Sequence, residues 1–448
     1  MKAKKIIIPS VIIVIAAGFY FYMNPLLPII TGYSAKNLSS GIFVAGRTQQ
    51  SLENTDLNFS FIKYVKNKVD TVNKEVKSSF LWNSSKAIYI DGFGCSLIHD
   101  ATKKEMLSRP YQKVEHLPEN PDTIPWPMGD VVADTIPAGV DNLKLNAALQ
   151  KAFSDTIPSK GTFAVAVVYK GQLVAERYKA GFLSSTKFLS WSMAKSFTNA
   201  LVGILSKEGR IDINKPIGFK EWQNDERKNI TINNLMQMTS GLQWNEDYGN
   251  NSDVNIMLHK VGDMGTYTME KPYQYPADSV WSYSSGSTNL VQLIIRQTIG
   301  NDSAYYAFPR KELFNKIGMR SAIWEVDASG TFIGSSYIYA TMRDYARFGL
   351  LYLNNGNWLG EQILPDGWVK YVTTGAKGSD GKYGSFFWLN KSGDYPDVPR
   401  DMYSCQGHDG QFIYIIPSKN LVVVRTGFSK HEDLDRNKFL SSIVNAFE

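Results

Sequence analysis

Apolar and polar positions follow two periods along the chain, and where each prevails predicts the fold. After Asp141, Leu145, Ala148, Leu149, Ala152 and Phe153 recur at helical spacing, with Asp141 placed to cap the first turn. Residues 163–169, an apolar run, and 172–178 flank Lys170-Gly171, which predicts two strands joined by a tight turn. Residues 412–416 and 421–426, around 417–420, predict a second pair, followed by a last helix carrying Phe439, Leu440, Ile443, Val444 and Phe447. Between the pairs the period is helical: Phe197, Leu201, Ile204 and Leu205, stopped by Gly209, and then residues 290–299. Strands near both ends of this region and helices in its middle predict an α+β arrangement. One antiparallel sheet is assembled from the two ends and flanked by helices, the middle forms a helical lobe, and a site lies between them.

The first part of the chain reads differently. Residues 6–23 form an uncharged apolar run preceded by Lys2, Lys4 and Lys5. As a helix this run is roughly 27 Å long, enough to cross a hydrocarbon core, with the lysines kept in the cytoplasm and the remaining chain outside. A cleaved signal segment has the same layout, but the run ends in bulky Phe19, Tyr20, Phe21, Tyr22 and Met23 instead of a clear small-x-small site. An uncleaved anchor is therefore expected. Residues 61–76 suggest a basic helix, and 87–98 a short strand pair around Gly92 and Gly94. No chemistry is legible there. Pro118, Pro121, Pro125, Pro127 and Pro137 mark a boundary. The expected divisions are an anchor or signal at 1–23, an extension of unassigned role at 24–117, a proline-rich linker at 118–139 and a main domain at 140–448.

In this 448-residue chain, a hydrophobic content of 43% and an aromatic content of 13% supply an ample core and exclude global disorder. The net charge of +6 is spread along the chain without a recognisable nucleic-acid module, so no nucleic-acid partner is expected. Cys95 and Cys405 are either paired or two buried thiols. The five histidines are dispersed and no Cys-x-x-Cys occurs, so neither a metal nor a cofactor is expected.

The candidate chemistry lies in three ordered motifs. In Ser192-Met193-Ala194-Lys195 the lysine shares a helical face with the serine. It can take the hydroxyl proton if neutral, or favour a nearby tyrosinate if charged. Ser-x-x-Lys also occurs at Ser60/Lys63, Ser184/Lys187 and Ser379/Lys382. Ser192 stands out because it follows Trp191 at a helix start and precedes small or apolar residues that bury the lysine stem; the plainer alternative is a helix cap with a solvated lysine. Tyr283-Ser284-Ser285 sits on a polar loop before a helix, where Tyr283 either shuttles a proton or packs a seam between lobes. His408-Asp409-Gly410 leads into an apolar strand, either as a turn or as an edge facing substrate. The amides of Ser192 and Gln411 are the candidate oxyanion hole. Lys382-Tyr383-Gly384-Ser385 is a competing third motif, but His408 directly precedes the last strand pair.

Together these motifs resemble those of the penicillin-recognising serine hydrolases. The branch they are most similar to holds class C β-lactamases, D-specific peptidases, family VIII esterases and 6-aminohexanoate-dimer hydrolases. Residues 188–191, 238–242, 244–248 and 340–350 carry the same likeness, which extends over roughly residues 140–448. The resemblance implies a β-lactamase/transpeptidase-like fold and an acyl-enzyme on Ser192. Lys195 is then the proton acceptor or electrostatic partner, and Tyr283 the general acid/base. Ser285, His408 and Gly410 occupy motif positions facing substrate, and Tyr248, in Trp-x-Glu-Asp-Tyr, contacts the substrate amide. Which group removes the serine proton differs in opinion among Ser-x-x-Lys enzymes. Two departures, histidine where β-lactamases carry lysine and Ser285 where asparagine is common, point away from efficient β-lactam hydrolysis. A smaller, less acidic amide or an ester is the expected substrate. The rivals are a D,D-peptidase or weak β-lactamase and a sensor or scaffold for wall fragments. The expected location is the bacterial cell envelope, anchored in the inner membrane, or the periplasm after cleavage. Oligomeric state is not legible.

Overall fold

The computed structural model describes residues 12–112, 114, 115, 117, 120–154, 160–429 and 433–448, with the backbone course of residues 2–11. The start of the apolar run at 6–11 and Pro118 of the linker fall outside the residues whose side chains are described.

The main sheet has six antiparallel strands. One strand in from an edge lies Gly161–Tyr169, paired on one side with the edge strand Gln172–Tyr178 and on the other with Leu421–Phe428. From there it runs outward through Gln411–Ile416, Tyr403–Gly407 and Trp388–Leu389. Both hairpins read from the pattern are present, and the join of N- and C-terminal strands is the register Val424↔Ala166. Gly161–Tyr169 is buried on both faces, which explains its unbroken apolar run. Ala164, Ala166 and Val168 face the large core of the helical lobe. Val165, Val167 and Tyr169 face the helices Asn142–Ala152 and Arg436–Val444 through Leu145, Leu149 and Leu440. Asp141 caps its helix as expected, accepting from the Lys144 amide at 3.0 Å. On the lobe side, helix Met342–Leu353 lies so close that a Cβ on Gly349 would sit 2.5 Å from Val422.

The proline-rich segment is laced to this domain. Arg347 donates to the Pro127 and Gly129 carbonyls at 2.6 Å each and lies 4.7 Å from the Trp126 ring centroid.

The N-terminal segment forms a second, small layer. Strands β1 (Lys66–Asp70), β2 (Glu75–Phe80), β3 (Asn83–Ile90) and β4 (Gly94–Leu97) make an antiparallel meander. Helix α1 (Lys2–Met23) leads into helix α2 (Leu27–Phe43), which crosses the meander and wedges it against the lobe. The basic helix expected over 61–76 is thus replaced by a short turn and two strands. Asp70 accepts from the amides of Val72 and Asn73 at 3.0 and 2.9 Å, a local turn that breaks any helix there. The strand pair expected around Gly92 and Gly94 is present as β3 and β4.

Among the described residues no single helix is long and apolar enough to cross a membrane. Ile12–Met23 and Leu27–Phe43, bent by 44°, meet the length and composition together, but α2 is largely buried in protein. Cys95 and Cys405 are separate buried thiols, and burial pushes both thiol pKa values up.

Candidate active site

The helix that carries Ser192 and Lys195 begins as a tight turn, Trp191–Met193, and continues as Ala194–Lys207. Trp191 has φ of +45°, a left-handed conformation that a bulky residue adopts only under constraint from its surroundings. That constraint is visible: its ring stacks on Tyr33 of α2 (centroids 6.2 Å apart) and meets His408 edge-on at 5.7 Å. Held in this way, Ser192 faces the cleft and is 9% exposed.

One helical turn later, Lys195 is 1% exposed. Its Nζ lies 2.9 Å from Ser192 Oγ, 2.9 Å from Ser285 Oγ and 3.3 Å from the Ser335 carbonyl. The solvated-cap reading of this pair is thereby excluded. Burial lowers the Lys195 pKa to about 8, with the Glu246 charge pulling it back up. The Tyr283 ring centroid is 4.9 Å from Nζ, and the phenol is within hydrogen-bonding reach of Ser192. Burial first, and Glu246 second, hold the Tyr283 phenol far above its ordinary pKa.

Glu246 organises this cluster. It accepts from the Ser285 amide (2.9 Å) and hydroxyl (2.5 Å), the Trp244 indole (2.5 Å) and the Tyr248 hydroxyl (2.9 Å). Sequence reasoning passed over it because a lone carboxylate between Asn245 and Asp247 on a polar loop carries no periodic signal. Ser335, whose carbonyl holds Lys195, was missed for the same reason; its amide and hydroxyl are pinned by Asn289 at 3.2 and 3.1 Å.

Ser192, Tyr248, Tyr283 and His408 all line one cleft of about 840 Å³ between the sheet edge and the lobe. Tyr248 stacks on His408 with centroids 5.1 Å apart. Three expected placements differ. Ser285 is fully buried at the start of helix Ser285–Ile299, bridging Lys195 to Glu246 instead of facing substrate. Gly410 turns away from the cleft: its φ is +86°, and the buried Arg425 guanidinium packs against it and donates to its carbonyl at 2.5 Å. Gln411 does not line the cleft either; its side chain clasps the Gly427 backbone on the far side, donating at 2.7 Å and accepting at 3.1 Å. The left-handed Asp409 makes the turn before Gln411, so the cleft-facing backbone belongs to Gly407 and His408. A Cβ on Gly407 would lie 2.3 Å from the Ser190 carbonyl, so this strand end is pressed against the turn that holds Ser192.

The cleft also takes in residues that no motif announced. Arg436 approaches from the C-terminal helix, donating to Gln406 at 3.3 Å, and makes no ion pair with any described residue. Lys382, from the rejected third-motif match, reaches the rim beside Asp394 at 3.5 Å.

Because Glu246 raises the pKa of Lys195, Glu246→Gln is expected to move the half-point of the kcat/KM pH profile to lower pH. The amide nitrogen would also face one of four donors, so the melting temperature should fall. A steady-state pH profile and a melt check both.

A sheet open to a helical lobe, with a serine and a buried lysine at their seam, defines the architecture of serine β-lactamases and their hydrolase kin. The Beta-lactamase family profile matches residues 156–439, and the chain belongs to that family. It is 24% identical over 295 residues to the 6-aminohexanoate-dimer hydrolase of Paenarthrobacter ureafaciens, spanning 59% of this chain and 72% of that one. A candidate 6-aminohexanoate-dimer hydrolase from Bacillus anthracis superposes with a TM-score of 0.56 at 26% identity, covering 75% of this chain and 89% of that one. A class C β-lactamase shares the fold, with a TM-score of 0.54, 15% identity and coverage of 70% and 99%. The protein is a hydrolase of the serine β-lactamase fold family.

Proposed function

We propose that the protein hydrolyses amide or ester bonds through an acyl-enzyme on Ser192. The observation that carries this is the environment of Lys195 Nζ. Ser285 Oγ and the Ser335 carbonyl accept two N–H bonds, so in the neutral amine the lone pair points to Ser192 Oγ. That amine takes the hydroxyl proton as Oγ bonds to the substrate carbonyl carbon. The backbone amides of Ser192 and His408, both on the cleft, are the donors for the resulting oxyanion. Tyr283, kept protonated by burial and Glu246, gives its proton to the leaving nitrogen or oxygen as the C–N or C–O bond breaks. Water then enters, and the same groups run in reverse to free the acid. Of the two routes open from the sequence, this supports neutral lysine as the base.

Activity is expected to rise with pH through about 8, as the Lys195 ammonium loses its proton. Turnover of a p-nitrophenyl ester across pH, with the intact-protein mass after fluorophosphonate exposure, tests the proposal. A protein that stays unlabelled while folded would overturn it.

The sequence suggested a less acidic substrate because the third motif lacks lysine. Arg436, which lies 5.0 Å from the Phe412 ring centroid and meets no carboxylate among the described residues, favours instead an amide bearing a carboxylate beyond the scissile bond. A short linear amide of the kind named for the curated relative, 6-aminohexanoate dimer, meets this description. Arg436→Ala should raise KM for such an amide by about tenfold, one charge-assisted contact's worth, and leave a neutral ester nearly unchanged. We place the domain outside the cytoplasm, held by α1 in the inner membrane of the cell envelope. Ile12, Ile13, Val14 and Ile15 of that helix are 60–70% exposed, without protein cover.

A further inference from the structure

The last turn of α1 is aromatic, and it touches the small N-terminal sheet. The Tyr20 ring stacks on Trp82 with centroids 5.2 Å apart, Phe19 meets the same indole edge-on at 6.3 Å, and the Trp82 N–H donates to Asn24 at 3.2 Å. Trp82 and Leu81 are the two loop residues of the β2–β3 hairpin, between the paired Phe80 and Asn83. Two-residue hairpin loops favour asparagine and glycine, because the backbone there turns left-handed. Leu81 nevertheless has φ of +52°, and Leu81 and Trp82 are 53% and 48% exposed. An apolar tip that is both strained and solvated is not explained by the folded protein alone. Phe61 and Tyr64 extend the patch, Phe61 reaching Phe80 at 6.3 Å.

Behind the tip, the outer face of the sheet is basic. Lys68 is paired opposite Lys77, and Lys77 opposite Lys86, so three lysines cross three strands in one row. Like charges placed directly opposite destabilise a sheet. From residue 61 to 86 there are six lysines and two carboxylates. Lys77 stands three residues from Phe80, about 10 Å along the strand, which matches the depth of a headgroup layer.

We propose that the Leu81-Trp82 tip, with Phe61 and Tyr64, seats the protein on the bilayer that α1 enters, aromatics in the interfacial layer and Lys66, Lys68 and Lys77 at anionic phospholipid headgroups. This rests on the reading of α1 as an anchor: the stack of Tyr20 on Trp82 places the tip at the level of the helix's aromatic exit. The catalytic domain then sits against the membrane surface, since α2 ties the sheet rigidly to the lobe.

The test uses full-length Leu81→Cys protein carrying a fluorophore, the two native thiols being buried, in vesicles containing phosphatidylglycerol. The label is expected to be quenched by nitroxide lipids and shielded from aqueous iodide. In the same background, Lys68→Gln/Lys77→Gln should weaken the docking equilibrium about fivefold per lysine while ester turnover stays unchanged. Protein that floats with vesicles but leaves the label open to iodide overturns the seating surface and keeps the anchor. Protein that does not float removes the anchor and the proposal together.

Discussion

Ser192→Ala will abolish turnover of both ester and amide substrates, with a fall in kcat on the order of 10⁴ to 10⁶. The reason is geometric. In the proposed mechanism Lys195 and Tyr283 both act through the Ser192 oxygen, so loss of the atom that forms the acyl bond removes the covalent route entirely. The substitution deletes one hydroxyl, and Lys195 keeps its bonds to Ser285 and the Ser335 carbonyl, so the fold should melt as before. The fluorophosphonate adduct should vanish with the activity. Unchanged turnover in a folded Ser192→Ala protein would refute the assignment of the nucleophile.

The second large effect lies away from the cleft. Lys36 of α2 and Glu325 of the lobe form a buried ion pair at 2.5 Å, 2% and 0% exposed. Glu325 also accepts from the Ser40 hydroxyl and the Cys95 amide, and Lys36 donates to the Cys95 carbonyl and lies 4.3 Å from the Tyr337 ring centroid. The burial of the carboxyl pushes its pKa up despite the lysine beside it. Lys36→Met alone leaves a desolvated carboxylate without its counter-ion and should cost roughly 3–5 kcal/mol. Lys36→Met with Glu325→Leu should recover much of that loss, because an apolar pair needs no desolvation of charge. Urea unfolding of the three proteins measures the difference. An additive double variant would show that the two residues do not act as a pair. Because Tyr33, one turn before Lys36, braces Trp191, the single variant should also reduce activity before the chain unfolds.

These two results concern opposite kinds of information. The Ser192–Lys195 pair was legible because it is local: the two residues share one turn, and the apolar residues around them declare a buried face. The hairpins at both ends of the main domain were legible because a strand buried on both sides writes itself as an unbroken apolar run. The helix α2 was not. Thr31, Ser34, Lys36, Asn37, Ser39 and Ser40 are polar and carry no apolar stripe, yet all are buried. Their partners are remote: Ser85 for Thr31 at 2.8 Å, Asn67 for Ser34 at 2.8 Å and Glu325 for Lys36. A polar group signals burial only through the partner that satisfies it, and that partner is unknown until the chain has folded.

The sequence by itself determined the order of the strands' appearance, the pairing of Ser192 with Lys195 on one helical turn and the family of the domain, all of which rest on short-range spacing and ordered motifs. Only the tertiary structure decided that Glu246 acts on the lysine and the tyrosine, that Ser285 is a buried bridge, and that Gly407 and His408, not Gly410 and Gln411, line the cleft. Each of these depends on which way one turn points, and that is set by long-range packing: the left-handed Asp409, the Arg425 guanidinium behind Gly410 and the Ser190 carbonyl against Gly407.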